Sequence, residues 1–247
     1  MTNLSEFTFL SSDGKTQLHG MLWEPEGVAV RAVLQICHGV AEHIARYDGF
    51  ARALNEQGIV VAGHDHLGHG KSLPEGGTPV YFGEGNTWNT VVDDIYILHQ
   101  RLKQRYPDVP LCIMGHSMGS FLTRTYLIRY PGTVKAAVIM GTGWQPQAAI
   151  TGGLALANAI AAVSGENATS ELVTELAFGS YNKLFAPNRT KVTGSPPTRA
   201  TWTTTSPTPS AARTPRWACS ARCCTAYALT SGRAICGRWT GKYRCCS

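Results

Sequence analysis

The sequence predicts an α/β fold, a mostly parallel sheet with flanking helices, on three observations. Short apolar runs alternate with helical stretches along the first 190 residues, the order that yields parallel strands joined by right-handed crossovers. The run Ala32-Val33-Leu34-Gln35-Ile36-Cys37 is nearly continuous in apolar residues, as a strand buried on both faces requires. Finally, Leu111-Cys112-Ile113-Met114 leads directly into Gly115-His116-Ser117-Met118-Gly119 and then into a helical pattern.

Taken in order, Phe7-Thr8-Phe9-Leu10 and Leu18–Trp23, separated by Ser11-Ser12-Asp13-Gly14, predict an antiparallel hairpin. Ala32–Cys37 is the third strand and ends in His38-Gly39. A helix near Tyr47–Gln57 stops at Gly58, and Ile59-Val60-Val61-Ala62 is the next strand. A loop rich in glycine and histidine, Gly63–Ser72, precedes a long helix around Thr87–Tyr106. The strand Leu111–Met114, a helix over Met118–Arg129 and the strand Ala136–Met140 complete a core assigned to residues 1–143. Residues 144–190 change character, becoming Ala-rich and helical with no strand run. A cap over the sheet's carboxyl edge and a plain surface helix read alike there, and a helical cap or lid is the expectation.

Composition divides the chain again near Lys191. Residues 1–190 hold all 16 acidic residues and 13 of the 22 basic ones, a balance of −3, whereas residues 191–247 carry nine basic residues and no acid. The Ile, Leu and Val residues of this last stretch are Val192, Leu229 and Ile235, too few to offset chain entropy, so a disordered basic tail rich in Cys, Thr and Pro is expected. Cys37 and Cys112 lie in apolar runs, where reduced, buried cysteines are the ordinary outcome. No leader pattern and no uninterrupted run of ~18–20 apolar residues stands out, so neither a secretory signal nor a transmembrane segment is expected and a cytoplasmic location is the default.

The chemistry centres on Ser117. In a strand-to-helix setting G-x-S-x-G reads as a nucleophile elbow, which holds a serine hydroxyl clear of its own backbone. His64, His66 and His69 with Asp65 between them have the residue types of a zinc site, but no second histidine cluster follows downstream to complete a dinuclear one, and no metal or cofactor is expected. His116 is expected to be a packed neighbour of the nucleophile, since adjacent residues on a sharp elbow point apart. Asp93 and Asp94, which could pass for paired catalytic carboxylates, read as a helix-start pair favoured by the macrodipole.

Three blocks stand in order: His38-Gly39-Val40-Ala41-Glu42-His43 with Arg46-Tyr47, then Asp65-His66-Leu67-Gly68-His69-Gly70-Lys71-Ser72, then Gly115–Gly119. With them the chain resembles the monoacylglycerol lipase and lysophospholipase branch of the α/β-hydrolases over about residues 5–190. The resemblance implies the α/β-hydrolase fold and carboxylester hydrolysis through an acyl-serine, on a small lipid ester. Ser117 would attack, and the backbone N–H groups of Val40 and Met118 would hold the oxyanion. His38, Gly39, Glu42, His43, Asp65, Gly115, His116 and Gly119 would frame the pocket, and the cap could touch a lipid surface peripherally. A non-catalytic lipid-binding or interaction protein on the same fold is the alternative.

Half of the machinery has no counterpart in the text. A serine nucleophile needs a histidine base and an acid to orient it, yet no histidine follows His116 and the last acidic residue is Glu175. Catalytic acid and base therefore have no assignment, the C-terminal part of the fold reads as incomplete, and the chain as written is expected to be impaired. The six tail cysteines, at 219, 223, 224, 236, 245 and 246, fit no paired zinc-knuckle spacing. A basic arm for nucleic acid would suit the charge but not the cysteines and tryptophans, and nucleic acid is not expected as a partner. Loss of acid, aliphatics and histidine together is what out-of-frame translation produces.

Overall fold

The computed structural model describes residues 1–84, 87–165 and 170. Six strands form one mixed sheet in the order β1-β2-β4-β3-β5-β6. β1 (Thr2–Leu10) and β2 (Gln17–Pro25) make the predicted hairpin, from Thr2 opposite Pro25 to Leu10 opposite Gln17. β2 pairs antiparallel with β4 (Ile59–His64), and β4, β3 (Ala32–Cys37), β5 (Leu111–His116) and β6 (Ala136–Met140) run parallel. β1 starts earlier than its apolar residues suggest, because this edge strand is held by the ladder and buries little besides Phe9.

Period-two alternation sorts the central strands onto two helical layers. Val33, Cys37, Val60, Ala62, Leu111 and Ile113 pack with Val91, Val92, Ile95, Leu98, Phe121, Leu122 and Tyr126 from α2 (Thr87–Arg105) and α3 (Met118–Arg129). Ile36, Val61 and Met114 point the other way, against Ile44, Tyr47 and Ala51 of the 3₁₀ turn Ile44–Tyr47 and α1 (Asp48–Asn55). Burying side chains such as Ile113 and Leu122 contributes roughly 1.5–3 kcal/mol each. Gln35 is the polar exception in β3, and it reaches α2 by donating to the Ile95 carbonyl at 2.8 Å.

One expectation is corrected here. Asp93 and Asp94 do not sit in the first turn of their helix, because α2 already begins at Thr87. Asp93 instead pairs with Arg129 at 2.9 Å and accepts the Tyr130 hydroxyl at 2.5 Å. Asp94 is buried and accepts the Ser12 N–H at 2.6 Å and the Ser11 hydroxyl at 2.9–3.0 Å, clamping the hairpin turn onto the helix. α4 (Gln147–Ser164) is, among the described residues, a helix long and apolar enough to cross a membrane by length and composition alone. Thr151 and Asn158 interrupt its apolar text, so no continuous run shows, while alanine and leucine keep the average apolar. Only Ile150 and Ala157 of α4 are buried. The remainder of the expected cap and the whole of 191–247 lie outside the described residues.

Burial pushes the Asp94 carboxyl up to about 6, although the Ser12 amide and Ser11 hydroxyl favour its ionised form. Its native value lies above the unfolded one, so its contribution to stability is greatest at low pH and is lost as pH rises through 6. Asp94→Asn keeps an acceptor without the charge. We expect the variant to gain on the order of 1–2 kcal/mol in urea unfolding at pH 8, with a smaller gain at pH 6; destabilisation at both values would refute this account.

Candidate active site

Ser117 stands between β5 and α3 with φ 53° and ψ −118°, a left-handed backbone that costs a non-glycine residue on the order of 1–3 kcal/mol. The surroundings over-determine it. Its N–H donates to the Met140 carbonyl at the end of β6, and its own carbonyl accepts the Ser120 N–H at 2.9 Å and the Ser120 hydroxyl at 2.6 Å. The flanking glycines are steric necessities: a Cβ on Gly119 would lie 2.0 Å from the Cys37 carbonyl oxygen, and one on Gly115 would lie 2.2 Å from that of Gly119. Turn, helix start and the end of β3 are thus pressed together, leaving the serine partly exposed at the sheet's carboxyl edge.

The loop after β3 comes to the same place. A Cβ on Gly39 would meet Ser117 Cβ at 3.1 Å. Its shape is set by the buried Glu42 carboxylate, whose Oε1 accepts the Gly39 N–H, the Tyr47 hydroxyl at 2.8 Å and His116 Nδ1 at 3.1 Å, while Oε2 accepts the Arg46 guanidinium. Burial alone would raise this carboxyl, but the His116 hydrogen bond, His38, the Gly39 amide and Arg46 outweigh it and hold it at about 2. Since the Gly39 N–H is committed to Glu42, it is not available to a ligand. Among the described residues the N–H groups of Val40, next to Gly39, and of Met118, next to Ser117, have no hydrogen-bond acceptor. Ala41, next in the loop, takes φ 52°.

Behind the loop lies a layer of histidines. His38 donates from Nδ1 to the Gly39 carbonyl at 2.7 Å and accepts the His66 N–H on Nε2 at 3.0 Å, which fixes its neutral tautomer. Its ring lies 4.2 Å from that of His66 and 5.3 Å from that of His69, and His64 packs edge-on against His66 and Phe9. All four are buried, and burial pushes all four pKa values down, His64 and His69 to about 3. Among the described residues no group of three or more His, Cys, Asp or Glu is placed to hold a metal ion.

Asp65 faces away from this stack. It accepts the Ile44 N–H at 2.7 Å, the Lys71 N–H at 2.9 Å and His19 Nδ1 at 3.0 Å, and His19 Nε2 in turn meets Glu6 at 3.0 Å. It is therefore a brace between the loops after β3 and β4. His43 remains half-buried at the loop surface, its carbonyl accepting the Arg46 N–H at 3.2 Å.

Ser117, Gly39, Val40, Glu42, Gly115, His116, Met118 and Gly119 are brought together, with His38 just behind. Asp65 and His43 make their hydrogen bonds within the loops after β4 and β3 and to His19. Sequence reasoning missed His19, whose bracing role could have been suspected only from a histidine sharing a hairpin with Glu6. None of the eight histidines hydrogen-bonds the Ser117 hydroxyl. His116, the nearest in sequence, turns to Glu42 instead.

Residues 28–198, more than half of the chain, match a family model described as serine aminopeptidase, S33, a hydrolase family. The chain belongs to this family. Within it the chain is 33% identical over 137 residues to the monoacylglycerol lipase of Mycolicibacterium smegmatis, covering 56% of this chain and 46% of that one. It is 34% identical over 114 residues to the monoglyceride lipase of Mus musculus, covering 46% and 35%. The chain thus spans less than half the length of these two relatives. A carboxyl esterase from Bacillus coagulans shares the fold at a TM-score of 0.75 and 22% identity, with 94% of this chain and 73% of that one covered. A soluble variant of monoglyceride lipase from Saccharomyces cerevisiae does so at 0.59 and 16%, with 94% and 69% covered. The α/β-hydrolase fold expected from the motifs is therefore the fold found.

The histidine layer sets a pH limit. Each ring has a native pKa below its unfolded value of about 6.5, so its contribution to stability is full above pH 6.5 and falls as pH drops, by ~1.4 kcal/mol per pH unit per ring. Four rings outweigh the opposite trend of Asp94. We expect native near-ultraviolet circular dichroism to be lost by about pH 5, within the ~5–15 kcal/mol stability of a typical domain; a native spectrum at pH 4 would contradict it.

Proposed function

We propose that this chain carries the nucleophile and oxyanion half of a serine carboxylester hydrolase for small lipid esters of the monoacylglycerol type. One observation carries the reading: a strained, partly exposed Ser117 is pressed against Gly39, and the next N–H group along each of these two turns, on Val40 and Met118, has no acceptor among the described residues. An ester carbonyl whose carbon meets the serine oxygen would place its developing negative charge between those donors, which act without reorganisation. The side chains of Val40 and Met118 are immaterial to that task. Glu42 and Gly39 position the loop, Gly115 and Gly119 permit the elbow, and α4 forms part of a cap whose apolar surface suits an acyl chain and a lipid interface. The names of the relatives support the monoacylglycerol class.

Turnover is a separate matter. A serine hydroxyl is a weak nucleophile until a base takes its proton, and none of the eight histidines hydrogen-bonds it. The chain as written is therefore impaired. Loss of triad function costs ~10⁴–10⁶ in kcat, so it should hydrolyse short-chain p-nitrophenyl esters no faster than Ser117→Ala and leave Ser117 unlabelled by a fluorophosphonate probe. A Ser117-dependent rate within tenfold of an ordinary esterase would overturn the impairment.

The composition change near Lys191 suggests where base and acid went. Reread one base out from about codon 191, the coding DNA should yield acidic and aliphatic text with a strand-ending Asp and a later His. The protein so encoded should hydrolyse monoacylglycerol in a Ser117-dependent manner. Equally unperiodic text or an immediate stop in both other frames would rule this out and favour the basic-arm reading.

A further inference from the structure

His116 and Glu42 are not used by the acyl-serine chemistry except as neighbours, yet together they have the form of an acid–base pair. His116 is the last residue of β5, and the turn that begins at Ser117 sends the two side chains apart. Its Nδ1 lies 3.1 Å from Glu42 Oε1. An ionised carboxylate only accepts hydrogen bonds, so Nδ1 carries the hydrogen and the lone pair of the neutral ring is on Nε2. Glu42 is held as the anion by its other donors, and its side chain is only 4% exposed against 33% for that of His116. The carboxylate is thus dry and fixed while the imidazole opens to solvent.

The Cδ2–Nε2 side of the ring faces Gly141, just past β6, where a Cβ would lie 3.5 Å from Nε2 and 3.6 Å from the Ser117 N–H. Nε2 itself has no hydrogen-bond partner among the described residues. A buried carboxylate that orients an imidazole, with the second nitrogen free of protein partners beside the Ser117 turn, supplies what general-base catalysis needs. It lacks only reach to Ser117, so its partner is water.

We propose that Glu42 and His116 form a general-base dyad that hydrolyses activated esters by direct water attack, without an acyl-serine. Nε2 removes a proton from a water molecule as the water oxygen bonds to the ester carbonyl carbon. The bond from that carbon to the leaving alkoxide or phenolate oxygen then breaks, giving a carboxylic acid that ionises at neutral pH. The imidazolium returns its proton to solvent, and Glu42 stays ionised throughout. This activity goes beyond the acyl-serine reading and is independent of it.

The test uses p-nitrophenyl acetate and the full chain carrying Ser117→Ala, which removes any acyl-serine route and so separates the two readings. Adding His116→Gln should lower the remaining rate roughly fivefold or more, and adding Glu42→Gln roughly threefold. The rate in the Ser117→Ala chain should fall by a factor of about 2 in deuterated water, the signature of proton transfer in the transition state rather than of imidazole acting as a nucleophile. In a Ser117→Ala, His116→Ala chain, added imidazole should restore the rate, a rescue that a structural role for His116 would not give. A rate indifferent to His116→Gln, absence of the isotope effect, or failure of rescue in a chain with native circular dichroism would each overturn the proposal.

Discussion

A carboxylate taken out of water must be given hydrogen bonds from every side or it will not stay ionised, and in this protein that requirement shapes the whole edge of the sheet. Glu42 meets it by drawing in the Gly39 amide, the Tyr47 hydroxyl, the Arg46 guanidinium and His116. These partners come from three different pieces of the edge. The loop after β3, the 3₁₀ turn behind it and the end of β5 are fixed relative to one another because they share one anion. Removing the carboxylate would release the loop and leave the other groups buried without a counterpart.

Asp65 repeats the arrangement one strand over, joining the loops after β3 and β4 and reaching back to β2 through His19. Beside them packs the layer of four neutral imidazoles. The division follows from burial: carboxylates with amide and cationic donors keep their charge, whereas imidazoles packed ring on ring lose theirs. Rigidity near the serine is thus electrostatic as much as apolar. The glycines of the elbow complete it by letting β3, β5 and α3 approach to distances that no side chain would allow.

Much of this was legible beforehand. Strand order along the chain, the elbow and the loop after β3 follow from apolar runs and from short motifs that need particular geometry. The pairing of β2 with β4 was not, since nothing in a hairpin's text says which strand it will join. Asp94 was misread because a helix-start carboxylate and a buried clamp differ only in what faces them, here Ser11 and Ser12 more than eighty residues away in sequence. The apolar average of α4 was not legible as a continuous run, because single polar residues break the run without changing the average. The commitment of the Gly39 N–H to Glu42, which leaves Val40 as the available donor, depends on atomic positions that no pattern encodes.

The sheet order has a consequence for synthesis. All six described strands, with both helical layers, fall within the first 140 residues. Ribosomes add ~5–20 residues per second and domains fold from the N-terminal side as they emerge, so the sheet has several seconds to close while the later part of the chain is still being made. The nascent protein holds its serine in place before any residue beyond Lys191 can influence it.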